Sequence, residues 1–220
     1  MTGYDINSIL GTFVDRGIWP YYDTAYGSLG STGGTTFTVS QSYTPFSAYL
    51  SQPDSVTGLP KTKVQTNAVA SNSFGATRCL ILEQIGIGFP SFVGKNNVDL
   101  IIENSYIEFK IAEKIFFEGR LELWPSGTGL MGVSTQTGEE TWTLGLPISM
   151  AARRFQKQFA KYIAPLINFT CTLYFQTPLI TLTFPSGSST PGALTSQSGS
   201  NVCVPWIRFY MDGLGDRAVQ

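Results

Sequence analysis

YIEFKIAEKIFFEGRLELWP, residues 106–125, decides how the rest of the chain is read. Ile107, Phe109 and Ile111 alternate with Tyr106, Glu108 and Lys110; beyond Ala112-Glu113, Ile115, Phe117, Leu121 and Leu123 alternate with Phe116, Glu118, Arg120 and Glu122. A period of two marks strands, because successive side chains of an extended chain point to opposite faces. The Ala112-Glu113 interval predicts a hairpin with one apolar face, which needs a second sheet, and one face of opposite charges across the pair.

Outward from the hairpin, further strands are expected at Thr77 to Ile85, Trp142 to Ile148, Asn168 to Gln176, Leu179 to Phe184 and Val202 to Met211. Gly86, Gly88 and Gly94 are read as breaking the first of these, and Val98 to Ile102 as the lead-in to the hairpin. Thr35 to Tyr43 and Thr62 to Ala70 are weaker strand patterns around a Pro- and Gly-containing connection. The polar run SGSSTPGALTSQSGS, residues 186–200, is too rich in Ser and Gly to be core.

One helix is expected late, from an N-cap at Ser149 to Ile163, stopped by Pro165. Phe155, Phe159, Tyr162 and Leu166 form its apolar stripe, and Arg153, Arg154, Lys157 and Lys161 its basic face. At the other end, Asp5 caps a short amphipathic helix through Ile6, Ile9, Leu10, Phe13 and Val14. The aromatic, glycine-rich stretch that follows includes Trp19, Tyr21 and Tyr22, and suits either a loop on its own domain or an arm reaching a neighbouring subunit. The domain expectation is therefore an arm over residues 1–70 and a β-sandwich over 71–220.

Composition narrows the function. Only 13% of the 220 residues are charged, against about a quarter in ordinary soluble domains, so much of the surface is uncharged. A net charge of -1 argues against a nucleic-acid-coated protein. No Asp or Glu lies between Glu140 and Asp212, where Arg153, Arg154, Lys157, Lys161 and Arg208 concentrate positive charge. Neither a secretion signal nor an apolar run of about 18 residues is present, which predicts a soluble protein made inside a cell. Cys79, Cys171 and Cys203 sit in apolar runs without CxxC spacing and read as buried free thiols.

The absence of histidine removes the commonest general base and metal ligand together. Glu108, Glu118 and Glu122 are the residue type a glycosidase pairs, but their interleaving with Lys110, Lys114 and Arg120 reads as surface ion pairing. Gly127, Gly129 and Gly132 match GxGxxG, yet the polar segment Val133 to Thr141 that follows is no helix and reads as a loop. Asp212, Gly213, Gly215 and Asp216 lack the spacing of a calcium loop. No catalytic, cofactor-binding or metal-ligating set is expected.

With its EFKI…FFEGRLELWPSGTG hairpin, the helix between TWTLGLPIS and NFTCTLYFQ, and the polar loop before VPWIRFYM, the run from Arg78 to Met211 resembles a viral jelly-roll capsid protein. Such proteins build icosahedral viruses, tailless bacteriophages among them. The resemblance implies an all-β antiparallel sandwich of jelly-roll type with one inserted amphipathic helix and an N-terminal arm. It also implies a structural, non-enzymatic role in the virion after synthesis in the host cytoplasm, without cofactor or small-molecule substrate. Sister subunits are the implied partners, in trimer or pentamer/hexamer contacts, along with other capsid proteins. The basic helix would face inward, toward the genome or an inner membrane. The competing expectation is a lectin-like or receptor-binding sandwich, such as a virion appendage, whose Tyr- and Trp-bearing loops hold a sugar or surface partner.

Overall fold

A computed structural model describes residues 14–31, 34–39, 41–90, 92–121, 130–136, 139–144, 153–154, 161–176, 180–186 and 189–218. In chain order the elements are β1 (Val14–Ile18), β2 (Tyr21–Ser28), β3 (Thr36–Val39), β4 (Ser42–Tyr43), β5 (Arg78–Gly88), α1 (Lys95–Asn104), β6 (Ser105–Ile111) and β7 (Lys114–Arg120). They continue with β8 (Leu130–Gln136), β9 (Glu139–Leu144), β10 (Arg153–Arg154), β11 (Lys161–Ile163), β12 (Phe169–Phe175), β13 (Ile180–Thr183), β14 (Leu194–Thr195) and β15 (Val202–Ala218). Every strand pair is antiparallel, which makes the architecture all-β with one short helix among the described residues.

The 17-residue β15 is the axis of the larger sheet. One of its edges pairs with β1 and β2, the other with β5, and the far edge of β5 carries β10 and β11. The second sheet runs β4, β12, β6, β7, and β3 extends its pairing onto β13. With the β8–β9 hairpin and the two-residue β14 set aside, the strands group in chain order as β1 with β2, β3 with β4, β5, β6, β7, β10 with β11, β12 with β13, and β15, eight groups in all. On that count the sheets run 1-8-3-6 and 2-7-4-5.

Aromatic rings join the sheets. Phe169 of β12 lies 6.2 Å from the Tyr21 ring of β2, and Tyr43 stacks 5.9 Å from Phe209 of β15. Between them Ile107, Phe109, Cys171 and Leu173 face Leu82, Ile85, Ile87 and Met211, all buried. Each such apolar side chain contributes roughly 1.5–3 kcal/mol by leaving water.

The opening hairpin forms as expected, with Ala112 at φ 50 in its turn. Its details differ. A bulge between Phe109 and Lys110 sets Phe117 opposite Phe109, their rings stacked at 5.0 Å, and moves Ile115 to the solvent face opposite Lys110. Glu108 pairs across the strands with Glu118, so the ion pair runs along β6 instead, with Lys110 Nζ 2.6 Å from Glu108 Oε1. Strand β5 continues through Gly86 and Gly88, and its own bulge explains why both faces look apolar in sequence. Asp212 pairs with Gln84 and Gly213 with Leu82, so the extra residue Glu83 lets Leu80, Leu82, Ile85 and Ile87 all face the core.

Four further expectations are corrected. The helix lies at Lys95–Asn104, where Val98, Ile101 and Ile102 follow helical spacing and Val98 and Ile101 are buried. Within the helix expected over Ser149 to Ile163, the described parts are β10 and β11, drawn into extended pairing by the open edge of β5. Residues 62–70 form turns and isolated bridges instead of a strand. Polar Val133 to Thr141, expected as a loop, contributes to the β8–β9 hairpin, with Val133 opposite Trp142.

Residues 14–70 are also less separate than an arm. Strands β1 and β2 are bonded to β15, and Tyr21, Ala25, Phe37, Phe46 and Ala68 belong to the common core.

Candidate functional site

The outer face of the larger sheet carries an apolar row across four strands. Ile18 of β1 pairs with Leu214 of β15, Leu214 with Ile81 of β5, and Ile81 with Tyr162 of β11. Directly opposed residues share a face. Ile18 is 78% exposed and Leu214 37%, while Ile81 and Tyr162 are half-buried. Ordinary alternation before the bulge at Glu83 turns Ile81 outward while its neighbours Leu80 and Leu82 point in. On the opposite face of the same sheet end, Trp19 lies against Gly215, where a Cβ would come within 2.6 Å of the indole ring.

Of the basic residues singled out in the sequence, Arg153 and Arg154 stand opposite Ile85 and Gln84, and Lys157 lies outside the described residues. Lys161 stands opposite Leu82 and holds its ammonium 5.0 Å from the Phe116 ring, with Lys114 5.8 Å away on the same ring. The Lys161 contact ties β11 to β7, the outer strands of the two sheets, while that of Lys114 stays within β7. The described members of the set therefore do not form one basic helical face.

In the expected assembly arm, Ile6, Ile9, Leu10 and Phe13 lie outside the described residues. Trp19 is partly exposed, but Tyr21 is buried, stacked 5.1 Å from Phe46, and the Tyr22 hydroxyl donates to the Lys63 carbonyl. Tyr21 and Tyr22 serve their own fold because β2 is a bonded strand of the main sheet.

Sequence reasoning missed a buried ionic cluster. Lys61 Nζ lies 2.7 Å from Asp23 Oδ1 and 3.6 Å from Asp54 Oδ2. Asp23 Oδ2 also accepts from the Phe46 amide at 2.8 Å, and Asp54 Oδ1 accepts from the amides of Val56 and Thr57 at 3.0 and 3.1 Å. Burial raises the Asp23 carboxyl above the ordinary range, opposed by Lys61 and by its hydrogen bonds. The cluster pins the 44–67 segment beside β2, where Thr66 bridges Asp23 and the Asn67 side chain accepts from the Tyr22 amide at 2.8 Å. That strand edge is thereby closed to pairing with another chain. The one sequence signal was that Asp23, Asp54 and Lys61 are, with Lys63, the few charges of a charge-poor segment.

All three cysteines are free and buried, and burial pushes the Cys171 thiol up to about 12. Asp212 and Asp216 lie within β15, and no cluster of three or more metal-binding side chains occurs among the described residues. No described helix is long and apolar enough to cross a membrane. No protein-family model matches the chain, and neither a curated protein nor a solved structure matches it.

Proposed function

We propose that this chain is a jelly-roll capsid subunit that assembles with copies of itself into a viral shell. The observation that supports this reading best is the strand order: with the β8–β9 hairpin and β14 set aside, eight antiparallel groups running 1-8-3-6 in one sheet and 2-7-4-5 in the other are the order a jelly roll would have. The exposed Ile18–Leu214 pair and its continuation through Ile81 supply an apolar surface suited to a second copy, and the scarcity of charge lowers the cost of burying neighbouring surface.

Negative-stain electron microscopy and sedimentation of the purified full-length chain test the reading. Closed shells or regular arrays are expected, and the double variant Ile18→Lys/Leu214→Lys should leave folded, unassembled subunits. Wild-type protein that stays monomeric at high concentration and instead binds glycans would replace the capsid reading with the lectin-like one.

A further inference from the structure

A second region of the outer face, beside β2 and the start of β15, contains a cleft with unused hydrogen-bonding groups. Thr24 of β2 stands opposite Arg208 of β15, and Arg208 stands opposite Gly88 of β5. One strand step away, Tyr210 stands opposite Gly86. With no side chain at positions 86 and 88, β5 leaves open space next to Arg208 and Tyr210. Phe89, Phe92, Pro191 and Pro205 wall the resulting cleft, whose volume of about 290 Å³ sits at the lower edge of the roughly 300–1,000 Å³ of small-ligand clefts.

Two polar atoms in this cleft are buried without a hydrogen-bond partner, Arg208 Nε and Thr24 Oγ1. Thr24 is 1% exposed. A buried donor left without a partner is unfavourable, most of all on a charged group, so both are poised for an incoming acceptor. Among the described residues no carboxylate forms an ion pair with Arg208, whereas Lys61 nearby is held by two. The Tyr26 hydroxyl, from the same cleft, accepts from Gln65 Nε2 at 3.1 Å and keeps its own proton to donate.

We infer that this cleft binds a small carboxylate carried on a ring. Arg208 presents Nε–H and the adjacent terminal N–H side by side, the fork that receives both oxygens of a carboxylate, and Thr24 adds a donor directly opposite. The Phe and Pro walls cover the ring. Acidic sugars and aromatic acids share this chemistry. The site is separate from the Ile18–Leu214 surface and holds whether or not the chain forms a shell.

Titration of the full-length protein with glucuronate and with benzoate, followed by the Arg Nε–H resonances and by calorimetry, tests it. At least one of the two should bind saturably and shift a single Arg Nε–H signal that is missing from Arg208→Lys. Glucuronate alone identifies an acidic sugar, and benzoate alone an aromatic acid. Thr24→Val, close in shape, should weaken binding about tenfold, and neutral glucose should not bind. Binding that survives in Arg208→Lys unchanged, inorganic phosphate as the only binder, or no Arg Nε–H shift with either carboxylate would overturn the inference. A folded Arg208→Lys, confirmed by an unchanged melting profile, keeps the comparison valid.

Discussion

Lys61 Nζ lies 2.7 Å from Asp23 Oδ1 in the interior, and neither side chain is more than 2% exposed. The contact joins β2 to a segment that has almost no regular structure of its own. Removing the cation strands the carboxylates of Asp23 and Asp54 away from water. Lys61→Met should therefore lose about 3–5 kcal/mol of stability, the typical cost of breaking a buried pair from one side. Urea denaturation monitored by circular dichroism reads this directly, and a loss below about 1 kcal/mol would show that the pair is not sealed as described.

The same carboxylate sets a pH dependence. Burial raises the Asp23 pKa in the folded chain above its unfolded value, so between the two values the native state holds the extra proton. Its contribution to stability is then fully present below the unfolded value and is lost as pH rises through the folded one. Melting temperature measured from acid to neutral pH should fall more steeply for wild type than for Asp23→Asn, in which that titration is gone. In Lys61→Met the fall should extend to higher pH, because the cation that opposes the shift is missing. A parallel course for wild type and Asp23→Asn would contradict the assigned direction.

Glycines in β15 make a sharper steric test. A Cβ at Gly213 would sit 1.9 Å from the Ile81 carbonyl oxygen, a backbone atom fixed by the sheet, whereas one at Gly215 would meet the movable Trp19 indole at 2.6 Å. Gly213→Ala should cost at least about 1–3 kcal/mol, the range for overpacking, and disturb the β5–β15 pairing. Gly215→Ala should cost less and expose Trp19, seen as a red shift in tryptophan emission. Equal costs would mean that the bulge beside Gly213 has more room than these distances allow.

The sheet content was legible where alternation is clean. Ile107, Phe109 and Ile111, and likewise Phe169, Cys171 and Leu173, present one face to the core, so periodicity alone finds them. Where a bulge intervenes, as at Glu83 or before Lys110, alternation changes phase and a straight count assigns the wrong face to residues such as Ile115. Val98, Ile101 and Ile102 were ambiguous because a short apolar run fits helix and strand alike. Arg153–Arg154 and Lys161–Ile163 were misread for a different reason: a locally good helical pattern yielded to the unpaired edge of β5. The Asp23–Lys61–Asp54 cluster and the Thr24–Arg208 pair depend on strand register over separations that sequence spacing does not encode.

Thiol labelling can test whether the segment held by Lys61 opens separately from the core. Cys203 Sγ lies 3.9 Å from the Val56 carbonyl, directly under the turn whose amides Asp54 holds. Cys171 lies between the sheets opposite Phe109, with its thiol pushed up to about 12 by burial. A thiol that is both buried and protonated does not react with an alkylating agent until the structure around it opens. In the wild type at mildly alkaline pH, iodoacetamide should label neither cysteine on a timescale shorter than unfolding. Lys61→Met should release the turn over Cys203 first, so mass spectrometry of time-resolved digests should find Cys203 labelled well before Cys171. Simultaneous labelling in that variant would mean that the 44–67 segment and the sandwich open as one cooperative unit, with the ion cluster serving the whole fold and not the segment alone.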